Sequence, residues 1–347
     1  MIDLEAAAGA RRWGARAERA RAVRFLGPRE VDLEEVELPP PGPGEVVVAT
    51  RTSGISAGTE MLAYRGLLDP ALPLDERLPA LGGTFRYPFR YGYSAVGVVE
   101  RSRSDRPEGS IVFAFHPHQD RFVVRSEDVI ALDGVDPDAA TLLPQVETAL
   151  QVRLDVGEAT GRTIVVTGLG VVGLLTAALL ARAGADVLGA DPLPWRRRAA
   201  AGFGVRTTDP GETADAVARA TRRAGADVVV EASGDPGALG PALGLLRHEG
   251  TAVVASWYGT RPVALPLGGA FHRRRLSIVS SQVSTIPARL ADRWDLPRRR
   301  RAALGLLRDL PVASLLTHRF PFERAAEAYA AIDRGEEGLL HAVLEYP

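Results

Sequence analysis

The segment Gly168-Leu169-Gly170-Val171-Val172-Gly173 carries the clearest chemistry in this chain. It leaves the β-branched run Ile164-Val-Val-Thr and opens an uninterrupted apolar stretch, so the glycines sit between a strand and a helix. Gly168 permits a tight turn, Gly170 lets a pyrophosphate approach the backbone, and Gly173 lets helix and strand pack closely. The helix start then offers free N–H groups and a partial positive charge to a phosphate. Asp191 stands 18 residues beyond Gly173, at the end of a second strand-like run. Its carboxylate would accept from the ribose hydroxyls of NAD and repel a 2′-phosphate, whereas Arg196, Arg197 and Arg198 could reach such a phosphate and keep NADP possible.

Three further groups could do chemistry. His116 and His118 are two of only six histidines and lie with Asp120 in a loop between β-type runs. This trio could carry a proton near neutral pH, hold a metal, or simply form a turn. Ser256, Trp257 and Tyr258 follow one predicted parallel strand and Ser233 another, at the strand ends where open α/β sheets bind ligands. Ser256 and Trp257 would flank a nicotinamide and Ser233 a cofactor ribose.

All 42 basic residues are Arg; Lys, Cys and Asn are absent. That excludes Schiff-base and P-loop lysines, thiol nucleophiles, cysteine-bound zinc and N-glycosylation. A net charge of −1 sets up no field for nucleic acid. No run of 18 apolar residues reads as a membrane span.

Positioning these groups requires two kinds of architecture. Residues 21 to about 125 show short alternating runs punctuated by Gly and Pro, the pattern of small antiparallel sheets, and Pro137 to Asp155 reads as a helical stretch. From Gly161, strands alternate with helices, the pattern of a doubly wound parallel sheet. The expected organisation is an N-terminal arm over 1–20, a β-rich domain over 21–150, a dinucleotide-binding domain over 151–286, and a return segment over 287–347. The arm reads as frayed or as an extra helix. The closing strand Leu339 to Tyr346 is expected back in the first domain, and the Arg runs at 196–198, 273–275 and 298–301 read as solvated helix faces.

The order of Pro41-Gly-Pro-Gly-Glu-Val, Ser53-Gly-Ile-Ser-Ala-Gly-Thr-Glu, Gly92-Tyr-Ser-Ala-Val-Gly-Val-Val and Leu143-Pro-Gln-Val-Glu-Thr-Ala resembles the medium-chain dehydrogenase/reductase superfamily. Two of these phrases look nearest the branch related to bacteriochlorophyllide a dehydrogenase, and more loosely to threonine and polyol dehydrogenases. The resemblance implies a Rossmann domain joined to a GroES-like catalytic domain, and hydride transfer between nicotinamide and a secondary alcohol or ketone. It also places the catalytic zinc ligands of relatives at Ser56 or Ala57, Tyr93 and Gln145, none a good zinc donor, which implies a zinc-independent member. Tyr93, in the place of a ligand histidine, then becomes the candidate proton donor, or a filler of the vacated space. The resemblance brings Thr148 to the nicotinamide and Glu147 to the ribose or a substrate hydroxyl. Ser56, Glu60, Tyr64 and Tyr258 are candidate substrate contacts, and such a polar cleft suggests a polyhydroxylated small molecule. A cytoplasmic homodimer is expected, paired through the strand before Ser280. A quinone or enoyl reductase using NADPH, and a cofactor-binding scaffold without turnover, remain alternatives.

Overall fold

A computed structural model describes residues 18–347. The expected arm therefore lies outside the described residues except for Glu18 to Ala20, which already belong to the first strand. In the N-terminal domain, β1 (Glu18–Gly27) pairs antiparallel with β2 (Glu30–Leu38); the further elements are β3 (Glu45–Ile55), α1 (Thr59–Tyr64), β4 (Phe89–Arg90), β5 (Ala95–Ser102), β6 (Ile111–Ala114), β7 (Arg121–Arg125) and β8 (Val129–Ala131). They form a three-stranded sheet ordered β2-β1-β4 and most of a seven-stranded one. Strand β3 is buried on both faces at Val46, Val47 and Val48, which pack into different apolar clusters, and it pairs with both β5 and β7.

The helical stretch expected over Pro137 to Asp155 divides into α2 (Pro137–Ala140), capped by Asp136, and α3 (Leu143–Val156), because Pro144 can enter only a first turn. The boundary expected at 150 falls inside α3, which carries the chain between domains without a linker. The sheet that follows takes β9 (Thr163–Thr167), α4 (Val171–Arg182), β10 (Asp186–Ala190), α5 (Pro194–Ala201), β11 (Arg206–Thr208), α6 (Pro210–Ala220), β12 (Ala226–Glu231), α7 (Leu239–Gly244), β13 (Leu246–Val254) and β14 (Ser277–Ser280). All its pairings are parallel in the order β11-β10-β9-β12-β13-β14, so the order reverses between β9 and β12. Open parallel sheets bind ligands outside the strand C-termini at such a reversal. Helix α4 is apolar almost all round, as befits a helix buried between sheet and α3.

The return segment comprises α8 (Leu296–Asp309), β15 (Leu316–Pro321), α9 (Ala325–Asp333) and β16 (His341–Glu345). As expected, β16 rejoins the first domain, pairing antiparallel with β3. It also pairs parallel with β15, an arrangement the sequence pattern did not suggest. After β15 the chain starts as a 3-10 turn at Phe322 and becomes α-helical only at Ala325. The buried face of α9 brings Tyr329 into the core of the N-terminal domain beside Phe25, Met61 and Tyr64. The Arg run in α8 is not simply a solvated face, because Arg299 is buried and donates to Gln151 Oε1 at 2.7 Å.

Candidate active site

The three glycines take the places their spacing requires. Gly168 has φ +88°, and a Cβ there would lie 2.4 Å from Ser233 Cα; one on Gly173 would lie 1.9 Å from Gly168 O. Gly170 caps α4, and its Cβ would meet nothing within 4 Å. That empty approach, in front of unpaired first-turn N–H groups, fits a pyrophosphate. Leu169 and Val171 are buried behind it and Val172 is half-buried. Asp191 is 1% exposed and accepts from Leu169 N at 2.8 Å and Leu193 N at 2.9 Å. Each carboxylate oxygen retains a second lone pair for a ribose hydroxyl. Arg196 stands 3.5 Å from that carboxylate, while Arg197 is tied to the Asp191 carbonyl at 2.6 Å.

The neighbouring strand ends carry a group that the sequence reading missed. Glu231, the last residue of β12, is fully buried and accepts from Ser233 N at 2.8 Å and from the hydroxyls of Ser233 and Tyr258. An acid ending an apolar strand was the available signal. Burial, and then Glu231, push the Tyr258 phenol far up, so it stays a proton donor to that carboxylate and is not directed at a substrate. Ser256 Oγ accepts from Gly234 N at 2.8 Å, and Trp257 stands 43% exposed against Phe85. The loop then meets the first domain, where Thr260 N donates to Leu67 O at 2.9 Å and a Cβ on Gly259 would lie 2.1 Å from that oxygen. Ring contacts continue from Phe85 through Tyr91 to Tyr93.

On the catalytic-domain side, burial and then Glu60 push the Tyr93 phenol up to about 12, against the opposing pull of the Ser56 and Thr59 hydroxyls. Tyr93 is thus a neutral phenol between two hydroxyls. Glu60 and His118 are brought together, both fully buried, with Glu60 Oε2 3.0 Å from His118 Nε2. Tyr64 is 5% exposed and stacks on Tyr329. Glu60 and Tyr64 therefore face the core in place of the expected substrate. His116 parts from His118: its ring stacks on Phe122 at 3.8 Å, and burial lowers it to about 4. Asp120 bonds Arg21 at 2.8 Å through the backbone and 3.2 Å through the side chain. The metal reading of His116, His118 and Asp120 is thereby corrected: among the described residues no three His, Asp or Glu side chains gather to hold an ion.

Nor do the residues at the positions where the resemblance implies zinc ligands fit the metal. Ser56 and Gln145 are neutral, Gln145 Oε1 is buried without a partner, and the Tyr93 phenol is held protonated. Glu147 lies in the seam between α3 and α8, 3.6 Å from Arg300 and 3.9 Å from Arg299, and burial raises its carboxyl in spite of both guanidiniums. Thr148 is half-buried and donates to Pro144 O at 2.8 Å.

A glycine turn at the switch point of a parallel sheet, with a loop that joins that sheet to the antiparallel sheets, is a dinucleotide-binding arrangement. The chain belongs to the medium-chain dehydrogenase/reductase superfamily. Residues 171–296 match the family described as zinc-binding dehydrogenase. The chain is 31% identical to 2-desacetyl-2-hydroxyethyl bacteriochlorophyllide A dehydrogenase of Cereibacter sphaeroides, over 90% of this chain and 94% of that protein. Among solved structures it resembles an alcohol dehydrogenase from Thermotoga maritima, with TM-score 0.76, 18% identity, and coverage of 95% of this chain and 100% of that one. It also resembles an Escherichia coli CFT073 alcohol dehydrogenase complexed with NADH, with TM-score 0.73, 18% identity, and coverage of 94% and 99%. The protein is accordingly an oxidoreductase of alcohol dehydrogenase type.

Proposed function

We propose that this enzyme interconverts a secondary alcohol and its ketone with a nicotinamide cofactor and without catalytic zinc, Tyr93 managing the substrate oxygen. The observation that carries this reading is a protonated phenol, flanked by Ser56 and Thr59, at the position to which the resemblance assigns a metal-ligating histidine. When bound, the nicotinamide supplies or takes up the hydride. The chain's part is the oxygen: in reduction, Tyr93 donates its proton to the developing alkoxide, and half-exposed Thr59 lies beside it on the route to solvent. A polyhydroxylated substrate loses support, because Glu60, Tyr64 and His118 are buried and directed at one another or at the core. Replacing Tyr93 by Phe is expected to lower kcat for NADH-driven reduction across a ketone panel about a hundredfold, with NADH affinity unchanged. Chelator treatment is expected to leave parental turnover intact; loss of activity restored by Zn²⁺ would overturn the reading.

For the cofactor, Asp191 supports NAD, with Gly168 to Gly173 at the pyrophosphate, Ser233 and Ser256 at the ribose and nicotinamide, and Thr148 and Trp257 along the ring. Paired titrations should show NADH preferred by tenfold or more, about 1.4 kcal/mol. Preference for NADPH would make Arg196 a 2′-phosphate ligand and favour the enone-reductase alternative, which an enone panel would then test. Strand β14 ends the parallel sheet with Val279 exposed, which supports a homodimer paired edge to edge. A cytoplasmic location goes with dependence on the cellular nicotinamide pool.

A further inference from the structure

Glu60 sits in the interior of the N-terminal domain, and among the described residues no Arg side chain pairs with it; its one basic neighbour is His118. An isolated buried carboxylate is unfavourable by several kcal/mol, so its surroundings must hold it in place. They do so completely. Oε1 accepts from Ser56 N at 2.8 Å, and Oε2 accepts from Tyr329 Oη at 2.6 Å and lies 3.0 Å from His118 Nε2. With His118 Nε2–H donating to Glu60, Nδ1 is left to accept from Ser53 Oγ at 2.7 Å, which in turn accepts from Tyr346 Oη at 2.8 Å.

This network grips the Tyr93 segment from both sides. On one side Glu60 directly follows Thr59 and fixes the Ser56 amide, so it sets the two residues whose hydroxyls flank the phenol. On the other side His118 lies against the residue preceding Tyr93. Gly92 has φ +113°, and a Cβ there would fall 2.5 Å from His118 Cδ2, so the imidazole occupies the space of a missing side chain. The backbone N of His118 also donates to Tyr91 O at 3.4 Å. We infer that Glu60 and His118 form a buried dyad whose task is to position Tyr93, holding its phenol at the orientation needed to meet the substrate oxygen. Neither residue touches substrate; both act through Tyr93, and the inference rests on the oxidoreductase reading above.

The test uses the full chain with fluorotyrosine at its seven tyrosines, the Tyr93 ¹⁹F resonance being assigned by its loss in Tyr93→Phe. In Glu60→Gln and His118→Gln that resonance should shift. With NADH and a ketone panel, the same variants should lose about tenfold or more in kcat at nearly constant KM, and Glu60→Asp should regain part of the loss. A Tyr93 signal unmoved in the folded variants, or kcat preserved, would overturn the dyad. If His118→Gln does not fold, Glu60→Gln decides alone, since it preserves size and the Ser56 cap. A parent chain that reduces nothing in the panel would overturn the dehydrogenase reading, and the resonance alone would then decide the dyad.

Discussion

Acidification from pH 7 to pH 5 is expected to remove about 4 kcal/mol of folding stability through two histidines, about 2 from each. Burial lowers His341 to about 3 and His116 to about 4. His341 is wedged against Gly54, where a Cβ would lie 2.6 Å from its Nε2, with Thr141 Oγ1 at 3.4 Å as its polar neighbour. His116 is sandwiched on Phe122. The unfolded chain takes up protons at both near pH 6.5 while the native chain does not. Their contribution is therefore whole above pH 6.5, falls as pH drops, and levels off only below about pH 4 for His116 and about pH 3 for His341. Urea unfolding at pH 7, 6 and 5 checks the slope. His116→Gln with His341→Gln should flatten it by about 2 kcal/mol per pH unit over that range, the linkage of two histidines that are only partly protonated at its upper end. An unchanged slope in the double variant would show that these histidines are not buried neutral.

His341 also illustrates where sequence legibility ends. It reads equally as core or surface, because nothing nearby shows that β16 will lie along β3. The dinucleotide half was legible because its evidence is local: glycine spacing, a β-branched run before, a helix after, an acid one strand later. The catalytic half depends on distant covers. Glu60, Tyr64 and His118 looked like pocket residues by chemistry alone; Tyr329 and Tyr346, more than 200 positions beyond His118, enclose them. The same holds for Glu147, whose partners Arg299 and Arg300 belong to an Arg run that looks solvated until α8 packs on α3. Polar residues announce a candidate chemistry in sequence, but only the return segment decides which of them face a cleft.

Within the glycine turn, two substitutions that look alike are expected to fail in different ways. At Gly173 an added methyl would lie 1.9 Å from Gly168 O, a backbone atom with no freedom to swing aside. Either helix α4 moves off the sheet or the turn opens, and Gly173→Ala should lose about 3 kcal/mol or more of stability. At Gly170 the same methyl meets open space, so Gly170→Ala should fold and lose only about 1 kcal/mol, the cost of Ala at an N-cap. Its methyl would, however, stand where the backbone must admit a pyrophosphate. NADH affinity should fall by about tenfold to a hundredfold, 1.4–2.7 kcal/mol. Thermal unfolding and NADH fluorescence titration, run on both variants, separate the two effects. Equal NADH affinity for Gly170→Ala and the parent would place the pyrophosphate elsewhere and remove the support for the cofactor assignment. A stable Gly173→Ala would show instead that helix and strand sit farther apart than the close approach between Gly168 and Gly173 requires.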